Sequence, residues 1–170
     1  AAHYGFEIPE YPGMTTPQML VAAGRGEIDV LFAVGGNFRE VMPGPGRIDQ
    51  SLGKIPLRVH MDITMSSQML EDPAETVIML PARTRYEIAG GVTETSTERR
   101  VIFSPEIPGK RIGEARSEGD VLGELAGLVR PEIADKVRFA STQAIREEIA
   151  RVIPYYAGIE KLQAEGDQFQ

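Results

Sequence analysis

Three short runs rich in β-branched residues, spaced so that a helix fits between each pair, constrain this fold more than any other feature. They are Ile28-Asp29-Val30-Leu31-Phe32-Ala33-Val34, Pro56-Leu57-Arg58-Val59-His60-Met61-Asp62 and Thr76-Val77-Ile78-Met79-Leu80. A nearly all-apolar run such as the first reads as a strand buried on both faces of a parallel sheet. Between the runs, Ile48 and Leu52 have the spacing of a short helix, and residues 64–71 suit another. Ahead of them, Thr15-Thr16-Pro17 places Thr at an N-cap and Pro in a first turn, and Gly24 to Gly26 offers a left-handed stop. Strand and helix alternating in this way predict an α/β fold, three-layered, with a mostly parallel sheet and Rossmann-like topology.

Residues 82–116 break the pattern. They are rich in glycine, threonine and charge, and their apolar cluster is Val101-Ile102-Phe103. A polar loop of this length inside a compact domain usually carries function. Helical stripes return at Val121, Leu122, Leu125, Ala126, Leu128 and Val129, and again at Ile145, Ile149, Val152 and Ile153. Residues 1–15 read as an extended lead-in, and residues 1–170 as a single α/β domain.

Composition removes several function classes. With no Cys, the chain holds no disulfide, thiolate metal site, iron–sulfur cluster or Cys nucleophile of its own. His3 and His60 alone do not make a zinc site. A net charge of −7 argues against a nucleic-acid partner. No apolar run approaches the ~20 residues of a membrane span, and no signal peptide is visible, so a cytoplasmic location is expected. The start at Ala1-Ala2-His3 suggests a piece of a longer polypeptide.

Ligands of open parallel sheets lie beyond the carboxyl ends of the strands. Gly35-Gly36-Asn37 follows the first strand there, and glycine lets a phosphate approach backbone N–H groups. An ordinary strand-to-helix turn would look the same. Asp62 ends the second strand, where a carboxylate accepts hydrogen bonds from a ribose or a guanine ring, or else caps residues 64–71. His60, two residues earlier, reads as packing or as a donor behind the site. The hydroxyls and arginines of residues 86–100 suit phosphates, or simply a solvated loop. No G-x-G-x-x-G, P-loop or G-x-S-x-G motif is present.

In this order and spacing, these features resemble the third domain of the large molybdopterin-dependent oxidoreductases. That superfamily includes formate dehydrogenase, periplasmic nitrate reductase and dimethyl sulfoxide reductase. The resemblance rests on Asp29 to Asn37, on His60-Met61-Asp62-Ile63-Thr64-Met65-Ser66-Ser67, and on Leu80-Pro81 followed by Glu87, Gly90-Gly91 and Thr97-Glu98-Arg99-Arg100. It extends to Glu124-Leu125-Ala126. The details resemble formate dehydrogenase-like alpha subunits. The resemblance implies a domain that binds molybdopterin guanine dinucleotide, one of two that together hold molybdenum or tungsten. By matched position, Gly35, Gly36 and Asn37 would contact the nucleotide, Met61 and Asp62 would lie at the guanosine, Arg99 and the neighbouring hydroxyls would line the cofactor cleft, and Glu118 would be an acidic cofactor contact preceding the downstream helix. It assigns no catalytic or metal-ligating residue to this chain. Any iron–sulfur cluster, the metal ligand and an electron-transfer subunit would lie elsewhere in the intact enzyme, and the other domains of the same polypeptide would be partners. Two other readings stay open: a stand-alone nucleotide-binding module, and an interaction domain that docks through residues 82–116.

Overall fold

Helix α1 (Thr16–Gly24) starts as its sequence dictates. Pro17 occupies the first turn, where its missing N–H is not needed, and Gln18 reaches back to accept the Thr15 N–H at 2.8 Å. Gly26, at φ +74°, turns the chain out of the helix into strand β1 (Val30–Val34). The short helix α2 (Phe38–Val41) and helix α3 (Pro45–Leu52) lead to strand β2 (Leu57–Asp62) and then to strand β3 (Thr76–Pro81). The computed structural model describes residues 3–95 and 99–169. Its chain forms two compact units: Pro9–Ala82, which holds the elements just named, and Ala1–Ile8 together with Arg83–Gln170.

In the Pro9–Ala82 unit the sheet order is β1-β2-β3, with both pairings parallel. This is the α/β, Rossmann-like arrangement that the alternation of elements predicts. The register brings Val34 beside Met61 and Asp62 beside Pro81, so the carboxyl ends of the strands lie level. Ala23, Ile48, Leu52 and Ile55 form the core, with Leu31, Phe38 and Met42 packed against them.

Two expectations need correction here. Strand β1 is not buried on both faces: Val30 is 56% exposed and Val34 43%. It is an edge of a three-stranded sheet, and the central strand β2 carries the burial instead, from Arg58 through Met61. Apolarity in the sequence reports a strand, not its rank in the sheet. Residues 64–71 form no α-helix but a single 3₁₀ turn, Ser67–Met69. Asp72-Pro73 follows at once, and the residue before a proline resists helical dihedrals.

The other unit contains most of residues 82–116, and they are not simply a loop. Strands β4 (Val92–Thr95) and β5 (Val101–Ser104) pair antiparallel. Alternating threonines favour the pleat, and Gly91 lets Phe103 close on the backbone. Helix α4 (Glu118–Val129) is capped by Ser117, whose Oγ accepts the Asp120 N–H at 3.1 Å. After the short helix α5 (Ala134–Val137), Ser141 caps helix α6 (Thr142–Val152) in the same way. Strand β6 (Gln168–Phe169) adds a third member beside β5. Val101, Phe103, Ile159 and Leu162 make the core. The lead-in is anchored to α6, since the Tyr4 hydroxyl donates to Glu148 at 3.0 Å and the His3 ring lies 2.8 Å from the same carboxylate.

Helix α4 reverses the usual amphipathic logic. Its glycines face its neighbours: a Cβ on Gly123 would lie 2.6 Å from the Val137 carbonyl oxygen. Leu122, Leu125, Leu128 and Val129, the stripe expected to pack inward, are exposed. Among the described residues no helix is long and apolar enough to cross a membrane, and no cluster of three or more potential ligands could hold a metal ion.

Candidate functional site

The carboxyl ends of β1 and β2 bring Gly35, Gly36, Asn37, Met61 and Asp62 into one unit. Gly35 and Gly36 take φ values of +69° and +76°. A Cβ at either position would meet nothing within 4 Å, so conformation, not crowding, calls for glycine, and the space before them is open.

The backbone groups of this turn can be accounted for one by one. The Gly35 N–H donates to the Met61 carbonyl at 2.8 Å, lacing the turn to the last rung of the sheet. The Gly36 carbonyl accepts from Gln68 Nε2 at 2.8 Å, and the Phe38 N–H donates to Gln68 Oε1 at 2.6 Å. The Asn37 carbonyl accepts from the N–H groups of Glu40 and Val41, both at 3.2 Å. The Gly36 and Asn37 N–H groups are left, and neither has an acceptor among the described residues. Asn37 Nδ2 donates to Ser67 Oγ at 3.3 Å, and that hydroxyl donates to Glu40 at 2.9 Å. Asn37 Oδ1 and Ser66 Oγ are buried and have no partner among the described residues. Two successive backbone donors in an open turn are the kind of groups that hold an oxyanion, whereas the Asn37 amide oxygen is enclosed by the protein.

Asp62 is half-buried. Its Oδ1 accepts the Ile63 N–H at 2.7 Å, and it does not cap the 3₁₀ turn, whose N-cap is Ser66. Met61 points to the opposite face of β2 and is 1% exposed, so it meets the turn through its carbonyl. His60 is equally buried, with neither ring nitrogen partnered. Burial first, and then Arg58, push its pKa below the ordinary value. It packs and donates to nothing among the described residues.

Sequence reasoning missed Arg58 and Gln68. Arg58 is fully buried, donating from Nη1 to the Gln68 carbonyl at 3.2 Å and from Nη2 to the Glu71 carbonyl. Burial lowers its pKa, opposed by Glu71 and Asp72. No pattern marks Gln68 beforehand, since one Gln after two serines reads as surface.

Arg99 and Glu118 belong to the other unit. Arg99 is exposed and takes φ +63°, a left-handed value rare outside glycine. Glu118 is the first residue of α4, where a negative side chain suits the free N–H groups. Thr97 and Glu98 of the polar run, with Ser96, lie outside the described residues.

Together these features define an α/β module whose turn at the end of the parallel sheet leaves two backbone N–H groups without an acceptor among the described residues. No family model matches the chain. Over 169 residues, 96% of its length, it is 26% identical to a protein of Bacillus subtilis described as probable oxidoreductase YjgC, covering 15% of that protein. Over 167 residues, again 96% of the chain, it is 28% identical to a subunit of an NADH-quinone oxidoreductase of Rhizobium meliloti, covering 18% of it. The chain is thus related to a segment of larger oxidoreductase proteins and spans less than a fifth of the length of either.

Proposed function

We propose that this chain is the molybdopterin guanine dinucleotide-binding domain of a molybdenum or tungsten oxidoreductase of formate dehydrogenase-like type. The observation that carries the reading is the pair of N–H groups at Gly36 and Asn37 that have no acceptor among the described residues, in the open turn after β1. The relationship to oxidoreductase segments supports it. The donor set suits the group. The two N–H groups would hold a phosphate oxygen, and the second Asp62 oxygen would accept from the N1–H and amino group of guanine. When bound, the cofactor carries the metal at which electrons are transferred. Further domains of the same polypeptide, and an electron-transfer subunit, would complete the enzyme, so this chain alone turns nothing over.

Titration of the 170-residue chain with GDP and with ADP, followed by amide NMR, tests the reading. GDP should bind about tenfold more tightly, because adenine presents no matching pair of donors, a difference of about 1.4 kcal/mol. Asp62→Asn should erase that preference. Equal affinities in the wild-type chain, or no binding at all, would overturn the proposal.

A further inference from the structure

We propose that Gln68 is the positioning residue of the 35–37 turn and sets the direction of its free N–H groups. The proposal rests on the reading of that turn as a phosphate contact. Gln68 is 1% exposed, and both polar atoms of its side-chain amide bond to the turn: Nε2 donates to the Gly36 carbonyl at 2.8 Å and Oε1 accepts the Phe38 N–H at 2.6 Å. A primary amide presents a donor nitrogen and an acceptor oxygen side by side in a single plane, and few side chains can replace it in this bridge.

Peptide geometry supplies the consequence. The Gly36 carbonyl and the Asn37 N–H belong to one planar trans peptide and point in opposite directions. By drawing the carbonyl toward itself, Gln68 turns the Asn37 N–H away from the protein body. By taking the Phe38 N–H, it also keeps that donor from competing for the same ligand. Gln68 is itself held from behind, since its backbone carbonyl accepts from the buried Arg58, which also binds the Glu71 carbonyl. Two glycines in a row would otherwise leave this peptide free to rotate. Arg58 and Gln68 thus turn a pliable sequence into a preformed cradle.

The test uses the 170-residue chain with two variants. Gln68→Met keeps length and removes both hydrogen bonds. Gln68→Glu restores the donor only when its carboxyl is protonated. Residual dipolar couplings report the Asn37 N–H direction without any ligand, with the N–H vectors of β1, β2 and β3 as the check on folding. Gln68→Met should rotate the Asn37 vector, leave the sheet vectors in place, and weaken GDP binding about tenfold, the worth of one hydrogen bond to a charged group. Gln68→Glu should recover GDP affinity between pH 8 and pH 5 when normalised to wild type at each pH. That normalisation removes the contributions of the neighbouring charged groups Arg58, Glu40, Asp62 and Glu71. An unmoved Asn37 vector with unchanged affinity in folded Gln68→Met would overturn the proposal. If wild type binds no GDP, the phosphate reading falls, and the Asn37 vector alone decides whether Gln68 positions the turn.

Discussion

Gly123→Ala sets two opposing effects against each other at a known distance. In a helix interior, alanine is favoured over glycine by about 1 kcal/mol. The new methyl, however, would lie 2.6 Å from the Val137 carbonyl oxygen, where ordinary contact begins at 3.4 Å. The backbone must therefore give by about 0.8 Å, and it is main chain, not a flexible side-chain tip, that has to move. Overpacking of this kind costs about 1–3 kcal/mol. With main chain as the obstacle the cost falls in the upper part of that range, about 2–3 kcal/mol, so the net effect is a loss of about 1–2 kcal/mol, or a Tm fall of about 4–16 °C for a unit of this size. Gly119→Ala is the internal control: its methyl would meet only Ile145 Cδ1, at 3.9 Å, and should leave Tm unchanged or raise it. Near-UV circular dichroism is the assay. The chain has no Trp, and Tyr4, Tyr86, Tyr155 and Tyr156 all lie in this unit, leaving only Tyr11 in the other. A Gly123→Ala Tm at or above wild type would refute the close approach of α4 to the chain at Val137.

Gly91→Ala should be more damaging. Its φ of +69° is strained for alanine, and the methyl would lie 2.5 Å from Phe103 Cζ and 2.7 Å from the Ser104 carbonyl, so urea denaturation should show a loss of about 3 kcal/mol or more. For His60, the folded pKa is depressed below the unfolded value, so the unfolded chain takes up the proton first. Its contribution is therefore complete above pH ~6.5 and declines as the pH falls below that value. His60→Leu should flatten this decline in urea midpoints between pH 7.5 and 5, and should stabilise the unit at every pH because two orphaned ring nitrogens disappear. A variant with the same acid slope as wild type would remove His60 from the account.

How much of this was legible depended on whether the signal was local. The three strands, their parallel order and the caps at Thr15-Pro17 could be read from neighbouring residues alone. So could the 35–37 turn, because two glycines after an apolar run have few other uses. Gln68 could not, since its importance lies in reaching a carbonyl and an N–H some thirty residues away in the chain. Helix α4 misled for a related reason. Periodicity assumes that the larger side chains pack, but Gly123 admits a backbone carbonyl that no leucine would, and the leucines turn outward. Strand β6 is two residues long, below what any pattern can register. The Arg99 and Glu118 assignments came from resemblance, and their environments lie in a different unit from the turn.

The exposed flanks of the sheet have a colloidal consequence. Val30-Leu31-Phe32-Ala33-Val34 and Val77-Ile78-Met79-Leu80 are uncharged, prone to β pairing, and carried on strands with one neighbour each. Such edges template the addition of further strands, and native sheets usually blunt them with lysine or proline. Here only Pro81 serves that purpose, at the very end of β3. A net charge of −7 opposes the approach of separate copies. That protection fades toward the sequence pI of 4.9 and shrinks with added salt, as the screening length falls from about 10 Å at 0.1 M to about 3 Å at 1 M. The ionic surroundings of this chain, more than the design of its edges, set how strongly edge-to-edge pairing is opposed.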